Sequence, residues 1–359
     1  MLPILKFSPV LLSKPWGGDA LHRVLGKGSA QDDRMGESWE LSDRPEAPTP
    51  IRGGAFDGRT LSVVLSGDAQ ALLGDLSEMG EQQVDGGFPL LYKFIAAREK
   101  LSVQVHPGAG SPVGEPKTEC WYVVEAAPGA ELIVGVAPGG RGREETLELL
   151  KSSRCEMILS RLPAHRGDVF FIPAGTVHAI TEGLLLYEVQ QNSDTTYRLY
   201  DWGRVDAAGK PRALHVAEAG AVADLAARDG YRIPPLSVAR DTHAEDFLVA
   251  CPYFALVRWR GFMEPARLET HGRFRVVTTT AGAATLRGAD GSVVTLQTGD
   301  TALVPACHEA VVVEAKSPDT ELIVSFVPDL ERDVRAPLRA TGHPDEAIAR
   351  LFGPAGVAV

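Results

Sequence analysis

Cysteine is scarce in this 359-residue chain: Cys120, Cys155, Cys251 and Cys307 stand far apart, with no Cys-x-x-Cys pair. That excludes a dense disulfide framework and a thiolate zinc cage, so a metal site has to draw on histidine and carboxylate. Long apolar runs are missing too. None approaches the roughly 20 residues that a membrane-crossing helix needs, and no membrane partner is expected. Cationic residues are in deficit, 36 Lys and Arg against 47 Asp and Glu, for a net charge of -11. Phosphate backbones reward basic surfaces, so nucleic acid is not an expected partner, and a small anionic substrate needs a local pocket of cations. The opening MLPILKFSPVLLSKPW carries Pro3, Pro9 and Pro15 and no uncharged apolar core before a small-residue cleavage site. It does not read as a secretory signal, and the cytoplasm is the expected location.

What is present is an ordinary globular composition, 44% apolar and 23% charged, in a chain about two domains long at roughly 100–200 residues per domain. Short apolar runs set off by turn residues dominate: PLLYKFIA at 89–96, KLSVQVH at 100–106, ECWYVVE at 119–125, AELIVGV at 130–136, DVFFIPA at 168–174 and LLLYEVQQ at 184–191. Strands this short and this closely spaced predict a sandwich or barrel. Helical patterns are few and brief, at 61–73, 143–152, 217–229 and 345–352. The expected class is all-β with short helical insertions.

One internal echo bears on domain organisation. GDVFFIPA at 167–174 returns as GDTALVPA at 299–306, which reads as one turn-strand-turn element used twice. Pro234, Pro235 and the charged stretch from Ala239 to Asp246 mark a linker between the copies and place a boundary near residue 240. Beyond Val327 the chain turns polar, and its pattern allows either a packed helix or a frayed end.

In LSVQVHP, Gln104 and His106 stand two apart on an expected strand, so both side chains leave one face of the sheet while Val103 and Val105 leave the other. Farther on, Gly167-x5-Pro173-x-Gly175-x2-His178 sets a histidine just after a glycine-proline turn. This spacing resembles the second signature of the cupin barrel through His178, although position 182 is Glu where that signature continues with Asn. Residues 104–119 resemble the first signature less closely. Gln104 replaces its first His, and the inserted GAGSPVGEPK lengthens the gap before Glu119. The resemblance implies two cupin barrels of the jelly-roll type, a metal-binding catalytic one at 1–240 and a degenerate one at 241–359, where GDTALVPA lacks the matching His. Gln104, His106, Glu119 and His178 together offer two imidazoles, a carboxylate and an amide oxygen, with a position open for water or substrate.

A longer set of motifs narrows the reading. KPWGG at 14–18, GESWELS at 36–42, PLLYKF at 89–94, LSVQVHP at 101–107, KTECWYV at 117–123, PAGTVHA at 173–179 and QNSDTTYRLYDWGR at 191–204 resemble, in order, the class I mannose-6-phosphate isomerases. That resemblance implies one Zn2+ per chain, held by Gln104, His106, Glu119 and His178, and a small phosphorylated sugar as substrate in a monomer or homodimer. It also implies that Arg198 is the active-site arginine and that Lys93, Ser102, Lys117 and Glu188 line the pocket.

The chemistry of such a reaction asks for these groups independently. Moving a carbonyl between carbon 1 and carbon 2 removes a weakly acidic proton and leaves an enediolate whose charge a divalent metal can hold. A general base must then carry the proton, and Glu188 and Lys117 are the candidates. Arg198 offers a planar fork for phosphate or enediolate charge, whereas Lys93 and Lys117 act as point charges. Two other functions fit parts of the pattern. The facial triad of a non-haem iron oxygenase also uses two histidines and a carboxylate, and a sugar-binding regulatory cupin needs no catalysis at all.

Overall fold

Along Glu119–Ala126 successive side chains enter two different environments. Trp121 and Val123 join one apolar core while Cys120, Tyr122 and Val124 join another, as the two-residue period of a strand requires. Leu90–Ala97 and Leu184–Gln191 follow the same rule, and every residue of both is buried. A sheet covered on both faces loses the apolar-polar alternation of a half-exposed one, which is why these segments read as continuous apolar runs.

The computed structural model describes residues 1–32, 34–78, 87–206 and 208–355. Their strands form four sheets in which every ladder between strands is antiparallel. The six-stranded sheet runs Val10–Gly18, Met35–Leu41, Leu90–Ala97, Leu184–Gln191, Glu119–Ala126, Val169–Ile172. Facing it, a five-stranded sheet runs Tyr197–Tyr200, Val103–Val105, His178–Ile180, Glu131–Val136, Leu159–Pro163. The later half of the chain supplies a seven-stranded sheet, Leu5–Lys6, Thr301–Val304, Arg275–Ala281, Glu321–Phe326, Ala255–Arg260, Ala244–Ala250, Leu236–Ala239. A four-stranded sheet, Ala266–Glu269, Ala310–Ala315, Ala283–Gly288, Val293–Gln297, completes it.

One apolar cluster joins the six-stranded and seven-stranded sheets, with Tyr92, Phe94, Phe171 and Tyr187 meeting Phe254, Val277 and Val324. Each such side chain contributes about 1.5–3 kcal/mol by leaving water. The Tyr187 hydroxyl, which burial would otherwise leave unsatisfied, shares a 2.7 Å hydrogen bond with Thr278 Oγ1. A second cluster fills the space between the six-stranded and five-stranded sheets.

The expectations depart from the structure in particular places. The strand expected at 100–106 is only Val103–Val105 long. The helix expected at 217–229 spans Val216–Val222 and stops because Asp224 N turns to donate to Gly175 O at 2.8 Å. Leu61–Leu73 breaks its helical backbone at Asp68, whose carboxylate then accepts from Ala71 N at 2.9 Å. The sequence pattern did not disclose the strands Val10–Gly18 and Met35–Leu41. The boundary placed near residue 240 falls in the turn between Leu236–Ala239 and Ala244–Ala250, two partners in one sheet, while Leu5–Lys6 pairs with Thr301–Val304. The tail carries helix at Ala336–Ala340 and Asp345–Arg350 and buries Ile348 and Leu351; its last four residues, 356–359, lie outside the described ones. Among the described residues no helix is long and apolar enough to cross a membrane.

Candidate metal centre

Between the six-stranded and five-stranded sheets the apolar filling gives way at one end to polar residues from both. Their placement follows from register. His178 lies opposite Gln104, which has Arg198 on its other side, and Glu119 lies opposite Gln190. Glu188 lies opposite Lys93. Alternation does the rest: Glu119 is two residues from the inward Trp121, and Glu188 two from the inward Leu186.

His178 follows a tight turn that needs glycine. Gly175 has φ +84, and a Cβ there would lie 3.1 Å from Val222 O. The same residue donates its N–H to the His106 carbonyl at 2.8 Å, tying together the two segments that carry imidazoles.

The ring nitrogens are sorted by their backbone partners. His106 Nδ1 donates to Thr195 O and His178 Nδ1 to Thr176 O, each at 2.8 Å. Both Nε2 atoms therefore present lone pairs, as a metal-ligating imidazole does. They point at one carboxylate: His106 Nε2 is 3.5 Å from Glu119 Oε2, and His178 Nε2 is 3.4 Å from Glu119 Oε1. One ligand atom from each of the three residues lies within 4.8 Å of the others, and all three residues are buried. Gln104 Nε2 donates to His178 Nε2 at 3.3 Å; a half-turn of that amide offers Oε1 to the same space, and Ser102 Oγ donates to Oε1 at 3.3 Å.

Electrostatics mark what this cluster lacks. His106 Nε2 and both oxygens of Glu119 are buried without a hydrogen-bond partner. Burial, with the Glu188 carboxylate nearby, lifts Glu119 to about 7 against the pull of Lys117 and Lys93. Burial holds His178 down to about 4 and His106 well below its ordinary value, and the Lys117 cation adds to both effects. Two neutral imidazoles and a donor-starved carboxylate together suit a divalent cation, since buried polar groups of this kind are costly unless coordinated or bonded. These residues fit a zinc ion by donor type and number.

Beside the cluster sit two buried lysines, each paired with a carboxylate. Lys117 Nζ is 3.3 Å from Glu119 Oε2, and Lys93 Nζ is 3.3 Å from Glu188 Oε1. Burial works against the Lys93 charge, but Glu188, Glu37 and two further carboxylates outweigh it and hold its pKa above the ordinary value. Glu188 Oε2 accepts from Trp121 Nε1 at 2.9 Å, while its Oε1 has no hydrogen-bond partner.

Arg198 stands apart from the rest. It shares the register position beside Gln104, yet its guanidinium donates to Ala213 O at 2.9 Å and its Nε is buried without a partner. Burial and the neighbouring Arg212 hold its pKa below the ordinary value. Sequence reasoning missed Thr176 and Thr195, which fix the two tautomers. They act through main-chain carbonyls, which leave no mark on residue type.

Residues 4–127 match the family model described as the phosphomannose isomerase type I catalytic domain. The mannose-6-phosphate isomerase ManA of Bacillus subtilis is 35% identical over 264 residues, 70% of this chain and 78% of that protein. The mannose-6-phosphate isomerase of Streptococcus mutans is 34% identical over 251 residues, 69% of this chain and 75% of its own. The crystal structure of the Bacillus subtilis mannose 6-phosphate isomerase superposes with a TM-score of 0.78 at 31% identity, covering 90% of this chain and 99% of that one. A zinc-bound mannose 6-phosphate isomerase shares the fold at 17% identity and a TM-score of 0.71, covering 91% of this chain and all of that one.

Proposed function

Since this chain belongs to the type I phosphomannose isomerases and interconverts mannose 6-phosphate and fructose 6-phosphate, we propose that Gln104, His106, Glu119 and His178 hold one Zn2+ per chain. The convergence of two Nε2 lone pairs, that of His106 with no hydrogen-bond partner, on a carboxylate whose oxygens accept no hydrogen bond carries this reading. A solved isomerase of the same fold is zinc-bound, which supports the choice of metal. When bound, the ion supplies Lewis acidity beside the substrate carbonyl.

The chain's own residues divide the remaining work. A base needs a lone pair, and Glu188 Oε1 has a free one whereas the Lys117 ammonium has none. Glu188 therefore takes the proton from the carbon beside the carbonyl and returns it to the neighbouring carbon, and Lys117 stabilises developing negative charge. Lys93 and Arg198 meet the phosphate and hydroxyl oxygens of the sugar, and Ser102 positions Gln104. The six- and five-stranded sheets form the catalytic jelly-roll barrel, essentially the 1–240 unit, and the seven- and four-stranded sheets the degenerate one, essentially 241–359, which also takes in Leu5–Lys6 and Leu236–Ala239 from the first unit. The protein works in the cytoplasm as a monomer or homodimer.

A coupled assay with mannose 6-phosphate tests the zinc reading. Chelation abolishes turnover and stoichiometric zinc restores it. Restoration by ferrous iron alone, with consumption of oxygen, would replace the isomerase reading by an oxygenase one.

A further inference from the structure

Apart from the edge strands Tyr197–Tyr200 and Leu5–Lys6, the two halves of the chain share one strand order, so positions can be followed from one to the other by register. Glu119 lies opposite Ile172, the residue before Pro-Ala in the first octapeptide, and Arg275 lies opposite Val304, the residue before Pro-Ala in the second. Gln104 lies opposite His178, and Glu269 opposite Ala310. Two residues beyond Gln104 and Glu269 stand His106 and His271. The carboxylate of the first cluster thus corresponds to a guanidinium in the second half, and one of its imidazoles to a methyl group.

This second set does not enclose a filled core. Glu269, His271 and Arg275 line a cavity of about 600 Å³ together with His243, Val257 and Trp259. Cavities of roughly 300–1,000 Å³ accommodate small molecules. Arg275 is 2% exposed, and its Nε and Nη1 donate to the carbonyls of Glu269 and Phe274 at 3.2 and 3.3 Å. Its guanidinium lies 4.2 Å from the centroid of the Phe326 ring.

Charge balance singles out one of the cations around the cavity. Arg240 pairs with Glu245 at 2.7 Å, Arg267 with Glu309 at 2.9 Å and Arg332 with Asp333 at 2.8 Å. Arg275 has no ion pair among the described residues. His243, elsewhere on the cavity wall, holds its ring 4.2 Å from that of Trp259 and its Nε2 3.5 Å from Glu245 Oε1, so that nitrogen faces a carboxylate already present. A buried planar fork with no ion pair, its strongest carboxylate influence coming from an Asp333 already bonded to Arg332, is complementary to an oxyanion.

We propose that this cavity binds a small oxyanion-bearing molecule, a phosphorylated or carboxylated compound about the size of a sugar, with Arg275 as its anchor. The exchange of Glu for Arg at one register position inverts the preference of the site from cation to anion while the space around it is kept. The site is separate from the isomerase centre and does not depend on that reading.

Amide hydrogen exchange on the full-length zinc-loaded protein tests this, with inorganic phosphate and malonate as probes. Phosphate, malonate or both slow exchange in Ala266–Glu269 and Arg275–Ala281, and the effective probe identifies the anion class. Arg275→Gln raises the half-saturating concentration on the order of tenfold or more, the loss of one charge-assisted bond, and Arg275→Lys recovers part of it. Should Arg275→Gln fail to fold, Val257→Phe fills the cavity without altering charge and removes the protection. An absence of protection in the unaltered protein, or equal protection in Arg275→Gln or Val257→Phe, overturns the proposal.

Discussion

Gly175 donates its backbone N–H to the carbonyl of His106 at 2.8 Å, so the turn that delivers one imidazole is bonded to the segment that delivers the other. Gly175→Ala places a Cβ 3.1 Å from Val222 O at φ +84 and strains that turn. The substitution costs about 1–3 kcal/mol, and zinc affinity falls with it because the two ligands lose their common tether. Denaturant unfolding and metal titration read the two effects. Unchanged zinc affinity in a destabilised protein would confine Gly175 to folding.

Ser102 touches the cluster only through Gln104, so it tests orientation separately from ligation. Ser102→Ala leaves every ligand in place and weakens zinc binding by about 10–100-fold, the usual cost of losing a partner behind a ligand. A competitive chelator titration measures it. An affinity equal to that of the unaltered protein would mean that Gln104 needs no such support.

Glu188 and Lys117 separate by what each change should spare. Glu188→Gln keeps its hydrogen bond from Trp121 within reach and removes the base, so kcat falls by about 100-fold to 10,000-fold with zinc content unchanged. Solvent deuterium no longer enters the product at carbon 1 or carbon 2. Lys117→Met lowers kcat while deuterium still enters. The reverse pattern would exchange the two roles.

Asp246 offers a pH test far from the metal. Burial works against its charge, but Arg260, Ser237 and Arg258 hold its carboxyl down to about 2, from an ordinary 3.8. A depressed carboxyl contributes stability that is complete above 3.8 and is lost as pH falls through about 2. Asp246→Asn lowers stability at neutral pH by about 2 kcal/mol, less than a fully buried pair would lose because Arg260 reaches solvent. The difference from the unaltered protein closes below pH 3.8. A gap that persists at pH 2 would remove the ion pairs as its cause.

The sequence made the cluster's donors visible and hid their setting. His178 was legible because a glycine-proline turn has a fixed spacing, and Gln104 and His106 because a strand repeats every two residues. What holds those side chains is encoded in no residue type. The carbonyls of Thr176 and Thr195 would be carbonyls whatever residues stood there. The strand Val10–Gly18 escaped notice because its burial comes from partners distant in sequence, with Val10 against Trp39 and Gly18 against Met35. Arg275 escaped for a different reason: only sheet register puts it in correspondence with Glu119, and register depends on pairing along the whole chain.

The pairing of Leu5 with Leu303 has a consequence for how the polypeptide is made. The N-terminal strand emerges from the ribosome long before its partner exists, and must wait for most of the chain to be synthesised. Until then this edge strand lacks the sheet it joins, and the apolar face of the six-stranded sheet is uncovered. Truncation near the middle therefore yields an aggregating fragment instead of a smaller working enzyme, because the sheet that receives Leu5–Lys6 is completed only after Thr301–Val304 has been made.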